Sequence, residues 1–491
     1  MTTPQSMRAA TIRGASWATA AALFTKIAGL AVQWVFGWML MPEDFELWGI
    51  ATSLTIFTAA LSDGGVLRLL KQQPDRYGEL CGPATLVAAV ANVLGGILLL
   101  VIGWSSRSLY ESDAFMPLLA WLAVGMMIRT PASILKSKLA IDLRFGAVSG
   151  VEIASVVVRS TAMIWMATAG YGPLSFVVPP LIATIVESIV PVFLGAARGF
   201  RIWPIRRRTL VEVLAVSRWT VPTTAAGGLT RRGDYLVLGL VLPGVLGVYF
   251  FGYQLAASAI QLFTGGLQSV LLPTLAKLLR DPPRLAAGFS RVFRMLAFVT
   301  CPAGALLFLA ADPGIHLLWQ GRWDAAIPVT EAVAASLVVQ AVVPACAIAI
   351  ETVGRWGIRM LLQLLDGVSL MAVTWVAATV PDADAGTIAW ILVAQRVVFG
   401  AVFVVVSGRL IRCGGGRLVA DLLRLAVPVG AAASAAMFAS SMLAIEDRYA
   451  MLAIRLAVFV PIWFAIAAIV ARGEMSEVVE IARSRLGRRA S

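Results

Sequence analysis

The stretch that decides the fold is WTVPTTAAGGLTRRGDYLVLGLVLPG, residues 219–244, continued at 248–273 by VYFFGYQLAASAIQLFTGGLQSVLLP. Its length suits two membrane-crossing helices joined by a Pro243-Gly244 turn. Yet the first helix carries Arg231, Arg232 and Asp234 near its middle. A charged residue at bilayer depth costs roughly 2.5–3.5 kcal/mol on insertion scales, so such residues face a wet cavity or one another. The rest of the chain reads as the wall of that cavity.

Composition supports the same class. The chain is 59% hydrophobic and 14% charged over 491 residues, with repeated apolar runs of bilayer length. The predicted fold is an all-α polytopic membrane protein of about fourteen transmembrane helices, with both termini cytoplasmic. Spans one to six lie at about 14–41, 45–67, 82–104, 115–135, 146–169 and 173–197. Spans seven and eight are the opening stretch. Spans nine to fourteen follow at about 295–311, 329–352, 360–380, 387–408, 425–445 and 450–471. The first span serves as the targeting signal, since the N-terminus shows no cleavable leader pattern. The basic tail, 472–491, is expected near the inner surface.

The net charge of +13 could point to nucleic acid, but the placement of the charges excludes that reading. Of 40 Lys and Arg, 30 fall in the tail and in alternate loops, three (Arg107, Arg322, Arg448) in the opposite loops and seven within spans. This is the positive-inside asymmetry of a membrane protein. Cys81, Cys301, Cys346 and Cys413 fall in no predicted outer loop and show no metal spacing, so neither disulfides nor a metal or other cofactor is expected.

A repeat runs through the chain. Pro42 and Pro243 each end a span, and 22 residues beyond each stand Gly64-Gly65 and Gly265-Gly266, a constant offset of 201. The expected organisation is two pseudo-symmetric six-helix lobes, 1–211 and 212–412, around a central cavity, followed by 413–491 with the last two spans and the cytoplasmic tail. Parallel repeats of this kind enclose the substrate path of many transporters.

Polar residues inside the spans fall into helical stripes. Thr19, Lys26 and Gln33 share a face of span one, and Glu152, Ser155 and Arg159 one of span five. Thr220, Thr224, Gly227, Arg231 and Asp234 align on span seven, Ser336, Gln340 and Glu351 on span ten, and Gln363, Asp366 and Ser369 on span eleven. Spans four and twelve add Arg129 and Arg396. The substrate-binding candidates are the cations Lys26, Arg129, Arg159, Arg231, Arg232 and Arg396; the ion-coupling candidates are Glu152, Asp234 and Asp366. Cations outnumber acids, which suits an anionic substrate carrying phosphate or acidic sugars, for which arginine offers paired donors. Alternatives stay open at several positions. Lys26 can snorkel, Arg231 and Asp234 at i, i+3 can form a structural pair, Glu187 reads as a buried hydrogen-bonded acid or a coupling carboxylate, and Arg455 as structural or a lipid-headgroup contact. His316 falls in an outer loop, where it reads as interfacial rather than as a proton relay. No P-loop and no catalytic constellation appears, so the chain is not read as an enzyme.

The turn Met39-Leu40-Met41-Pro42-Glu43-Asp44-Phe45, followed by Trp48-Gly49, resembles that of Wzx-type polysaccharide exporters. So do Asp63-Gly64-Gly65, Gly233-Asp234-Tyr235-Leu236-Val237-Leu238-Gly239, Leu271-Leu272-Pro273-Thr274-Leu275-Ala276-Lys277-Leu278 with Asp281-Pro282, and the loop Gly321-Arg322-Trp323-Asp324-Ala325-Ala326-Ile327-Pro328. The resemblance covers most of residues 10–410 and departs at Glu46, where the family usually has glycine. It implies the multidrug/oligosaccharidyl-lipid/polysaccharide exporter fold and the flipping of an undecaprenyl-diphosphate-linked oligosaccharide across a bacterial inner membrane by alternating access. The implied partners are that substrate, membrane lipids, H+ or Na+ as the coupling ion, and a polysaccharide polymerase or export machinery. The last two spans are implied to offer a groove for the lipid tail. The alternatives are a multidrug exporter on the same fold and, third, a membrane glycan polymerase or ligase, which the short outer loops disfavour.

Overall fold

The computed structural model describes residues 4–477 except 60, 63–65, 111, 143, 198–199, 201–202, 204, 280 and 444–446. The described residues form sixteen α-helices and no strand. They are α1 (Pro4–Met39), α2 (Pro42–Ala59), α3 (Val66–Gln72), α4 (Tyr77–Ser106), α5 (Phe115–Ile141), α6 (Phe145–Thr168), α7 (Leu174–Phe193), α8 (Arg207–Val241), α9 (Pro243–Leu278) and α10 (Pro282–Trp319). Then come α11 (Ile327–Ala335), α12 (Leu337–Thr352), α13 (Trp356–Ala378), α14 (Ala385–Leu410), α15 (Gly415–Met442) and α16 (Arg448–Val470). The chain is an all-α, multi-pass membrane protein. Among the described residues, ten helices are long and apolar enough to cross a bilayer, or eleven if α11 and α12 are taken as one bent span. α2 and α8 are not among them: α2 opens with Glu43, Asp44 and Glu46, and α8 carries Arg231, Arg232 and Asp234 in its apolar half.

Local chemistry sets the helix ends. Pro42 and Pro243 both stand at the first helical position, where a missing N–H costs nothing. Asp44 reaches back to accept the Met41 amide at 2.9 Å, closing the turn between α1 and α2. Asp281 accepts from the Arg284 amide ahead of α10, Asp384 from Thr387 ahead of α14, and Asp447 from Tyr449 and Ala450 ahead of α16. The tenth predicted span is not straight. It breaks by 44° at Ser336, whose hydroxyl turns back to the Val333 carbonyl at 2.9 Å and accepts from Gln340 Nε2 at 2.9 Å. The predicted motif Asp63-Gly64-Gly65 and the tail from 478 onward lie outside the described residues.

The chain divides into two compact units, residues 1–250 and 251–491. In the first, α1 packs on α6, α4 on α5, and α5 and α6 on α7; α8 packs on α2 and α4. Residues 212–250, which the sequence assigns to the second domain, thus pack within the first unit. Phe176 is the aromatic centre: it stacks on Trp48 at 5.2 Å and meets Phe36 and Phe45 edge-on. The starts of α2 and α9 touch through glycine. A methyl group at Gly247 would lie 2.1 Å from the Pro42 carbonyl oxygen, and one at Gly49 would lie 3.2 Å from Leu246. In the second unit α10 packs on α11, α12, α15 and α16, around Phe289, Phe293 and Phe403. Phe251 stacks on Trp323 at 3.8 Å.

Candidate functional site

Within the first unit, α5, α6 and α7 line an open cavity of about 520 Å³. Helical spacing aims three short stripes into it: Arg129, Ser133 and Lys136 from α5, Ser155 and Arg159 from α6, Thr184 and Glu187 from α7. Arg129 is fourteen residues from the start of α5 and Glu187 thirteen from the start of α7, each about 20 Å along its helix axis. Both lie within helices long and apolar enough to cross a bilayer. Trp121, Met126 and Leu181 supply apolar wall.

The charges in this cavity do not balance. Glu187 accepts the Ser155 hydroxyl at 2.7 Å, and its other oxygen lies 3.6 Å from the Lys136 ammonium. Among the described residues no carboxylate comes within ion-pair distance of Arg129 or Arg159. Two predicted cations are thereby brought into one cavity, joined by Lys136 and Glu187, which the sequence reading had not placed there. The signal was present: Lys136 is seven residues, two helical turns, beyond Arg129, and Glu187 belongs to the stripe Pro180, Thr184, Glu187, Pro191.

The other candidates sit elsewhere. Lys26 is half-buried on α1, and Glu152 half-buried on α6 and not among the cavity residues. Arg231 is exposed on α8. Arg232 reaches α2, donating to the Thr52 carbonyl at 3.2 Å and the Thr55 hydroxyl at 3.3 Å. Asp234 is fully buried and accepts from the Tyr249 hydroxyl at 2.9 Å and the Tyr235 amide at 3.0 Å. Burial and partner choice separate it from the exposed Arg231 one helical turn away. The side chains of Thr19 and Thr220 lie outside the described residues.

The second unit holds Asp366 and Arg396. Asp366 is buried on α13 and accepts from Gln395 Nε2 of α14 at 3.1 Å; the same amide nitrogen donates to Ser369 at 2.8 Å. The Gln395 side-chain oxygen is buried with no hydrogen-bond partner. Arg396 lies over the Tyr253 ring at 5.9 Å. An apolar groove of about 310 Å³ runs between α10 and α16, lined by Pro302, Leu306, Phe459 and Trp463 among others.

Several charges near the helix ends of this unit are paired. Arg455 is buried; it donates to the Leu309 carbonyl at 3.0 Å and lies 3.7 Å from Asp312, which also pairs with Arg448. At the opposite ends of α10 and α15, Glu474 accepts from Arg424 at 2.6 Å and lies 3.4 Å from Arg294, which is 3.5 Å from Asp421. His316 pairs with Asp324 at 2.8 Å. In the first unit, Arg76 forms a two-pronged contact to Glu212 at 2.9 and 3.0 Å. The hydrogen bond from Arg76 holds the Glu212 carboxyl below its usual range.

Comparison with known proteins places the chain. The family model described as polysaccharide biosynthesis protein matches residues 35–328. The chain belongs to that family. It is 22% identical over 332 residues to the lipopolysaccharide biosynthesis protein WzxC of Escherichia coli (strain K12), covering 66% of each chain. It is also 22% identical over 333 residues to the teichuronic acid biosynthesis protein TuaB of Bacillus subtilis (strain 168), covering 65% of this chain and 67% of that one. Each alignment thus spans about two thirds of the relative's length. Among solved structures, the fold is similar to the lipid II flippase MurJ in an inward closed conformation, with TM-score 0.71 and 12% identity over 92% of this chain and 98% of that one. It is also similar to an inward-facing multidrug resistance MATE family transporter of the MOP superfamily, with TM-score 0.62 and 14% identity over 82% of this chain and 95% of that one. The all-α exporter fold expected from the resemblance is the fold observed.

Proposed function

We propose that the protein is a flippase for a lipid-linked oligosaccharide, moving an undecaprenyl-diphosphate-linked repeat unit from the inner to the outer leaflet of a bacterial inner membrane during exopolysaccharide, O-antigen or capsule synthesis. The observation that carries the reading is a cavity at membrane depth with an excess of cations, in a chain of the polysaccharide biosynthesis family. A charge buried in a bilayer is costly, and arginine and lysine kept there without matching acids are best explained by an anionic substrate. The same excess disfavours the multidrug exporter, whose cationic substrates it would repel.

In this reading the chain crosses the membrane fourteen times. α2 lies in the second span, about 45–67, the bent pair α11 and α12 forms another, and each remaining helix except the short α3 forms one more. Both termini are cytoplasmic, and residues 1–211 and 212–412 are the two copies of a six-span sequence repeat. Lys26, Arg129, Arg159, Arg231, Arg232 and Arg396 attract the diphosphate or acidic sugars along the path, and the groove between α10 and α16 takes the lipid tail. Of Glu152, Asp234 and Asp366, Asp366 is the favoured site for the coupling H+ or Na+. It stands beside the Ser369 hydroxyl and the unpartnered oxygen of Gln395, while Asp234 already accepts two hydrogen bonds. The protein performs no covalent chemistry and hands its cargo to a polymerase.

The test is deletion of the gene followed by extraction of lipid-linked oligosaccharides from spheroplasts treated with a glycosidase. Accumulation of protected intermediates is the expected result. Accessible but unpolymerised intermediates would move the assignment to a polymerase or ligase, and unchanged glycan would remove the flippase reading.

A further inference from the structure

The α5–α6–α7 cavity has a feature that a general cationic path does not require: a resident acid. Three cations, Arg129, Lys136 and Arg159, share the space with one carboxylate, Glu187. The surplus of two positive charges lines an open cavity that holds a single carboxylate. Glu187 is held in place by the Ser155 hydroxyl at 2.7 Å, but its contact with Lys136 is loose. At 3.6 Å the ammonium lies beyond the 2.7–2.9 Å of a charge-assisted hydrogen bond. Its donors remain available to a ligand. The arginines approach from α5 and α6, and each offers a planar fork that matches two oxygens of a phosphate. The cavity volume of about 520 Å³ is many times the roughly 30 Å³ share of one water. It has room for a diphosphate and part of what it is attached to.

Resting on the flippase reading only for the biological source of the ligand, we propose that this cavity is a binding site for a doubly charged phosphoryl group, and that Glu187 is a positioning residue acting as a built-in counter-anion. In the empty cavity Glu187 compensates Lys136. When the ligand enters, its two negative charges neutralise the surplus held by Arg129 and Arg159, and its oxygens compete with Glu187 for the Lys136 ammonium. The carboxylate remains tethered by Ser155 throughout, so it is ready to reclaim Lys136 and assist departure of the anion. The site therefore binds with an affinity that Glu187 holds down, as a transporter that must release its cargo requires.

The test uses the full-length protein in detergent and titration calorimetry with two probes, inorganic pyrophosphate and a short-chain prenyl diphosphate. Saturable binding of pyrophosphate is expected, weakened tenfold or more by R129Q and by R159Q. E187Q is the decisive variant. Its amide oxygen still accepts from Ser155, so the helices stay joined, and removal of the competing charge is expected to tighten pyrophosphate binding severalfold. Unchanged or weaker binding by E187Q would overturn the counter-anion role, and pyrophosphate binding that is absent or insensitive to both arginine changes would overturn the site. Thermal unfolding of each variant separates a lost site from a lost fold: Ser155→Ala, which cuts the tether while keeping every charge, is expected to keep pyrophosphate binding if R129Q proves unstable, and loss of binding there would also overturn the site. A prenyl diphosphate that binds more tightly than pyrophosphate, with the same arginine dependence, identifies a lipid-linked ligand; equal affinities identify a free phosphate. None of these readings measures transport. A chain that binds pyrophosphate as described, but whose deletion leaves lipid-linked oligosaccharides accessible, keeps the site and loses the flippase assignment.

Discussion

Two charge clusters, one in each unit, are compensated in opposite ways. In the first, Arg129 and Arg159 face a cavity alongside one acid that is already engaged by Ser155 and Lys136. In the second, two groups of charged residues near helix ends are tied to one another: Arg455 and Arg448 to Asp312, and Arg294 and Arg424 to Glu474. Asp366, between helices, is met by an amide rather than a cation. A charge with a fixed partner holds helices together, because removing either member strands the other in a poor solvent. A cation without one, facing open space, leaves an interaction for a ligand to complete. Position within a span is therefore a poor guide to role; compensation is the better one.

That contrast breaks most sharply if the cavity cations are neutralised. The double substitution R129Q/R159Q removes two charge-assisted contacts, each worth about 1.5–3 kcal/mol, or about a tenfold or greater loss of substrate affinity apiece. Protected lipid-linked oligosaccharide should accumulate in cells carrying it, while the amount of protein in the membrane stays normal; export at the wild-type rate would remove these residues from the path. The paired charges predict the reverse. Arg455→Met leaves the Leu309 carbonyl and part of the Asp312 charge unsatisfied, a cost of about 1–3 kcal/mol that should appear as a lower unfolding temperature in detergent, with transport by the remaining folded protein unchanged.

A packing change gives a further comparison. Gly247→Ala forces a methyl group into the Pro42 carbonyl and should destabilise the contact between the starts of α2 and α9 by about 1–3 kcal/mol. Gly244→Ala, three residues earlier with nothing within 4 Å of the added methyl, should leave the unfolding temperature unchanged. Equal behaviour of the two would contradict the close approach.

The smallest effect concerns the partly exposed Arg76–Glu212 pair. The folded-state pKa of Glu212 is lowered, so its contribution to stability is present above the ordinary carboxylate value of 4.5 and is lost as the pH falls below that, through the lowered value. Glu212→Gln should flatten the pH dependence of unfolding in that acidic range and leave it alone near neutrality. Because the pair is solvated, the change should be slight and should shrink further in salt.

Much of the architecture was legible without coordinates. Apolar runs of bilayer length located the helices, and the prolines at 42 and 243 marked the breaks between them. The bend at Ser336 was not legible, because serine is common within helices and only its back-bond to Val333 shows that the turn has tightened. Arg129 and Arg159 were recognisable as cations within apolar spans from their flanking residues. Lys136 falls one residue beyond the predicted fourth span, 115–135; the helix continues to Ile141 and carries the lysine along the Arg129 face to Glu187.

The sequence by itself determined that this protein lives in a membrane, is built of helices and keeps charge inside them. Those properties follow from hydrophobic length and local backbone chemistry, which each segment carries alone. Only the tertiary structure decided that Glu187 answers Lys136 and Ser155, that Asp234 answers Tyr249, and that Arg129 and Arg159 share a cavity with no acid of their own. The attraction between two charges depends on their separation and on the medium between them. Neither quantity exists until helices distant in the chain have packed side by side.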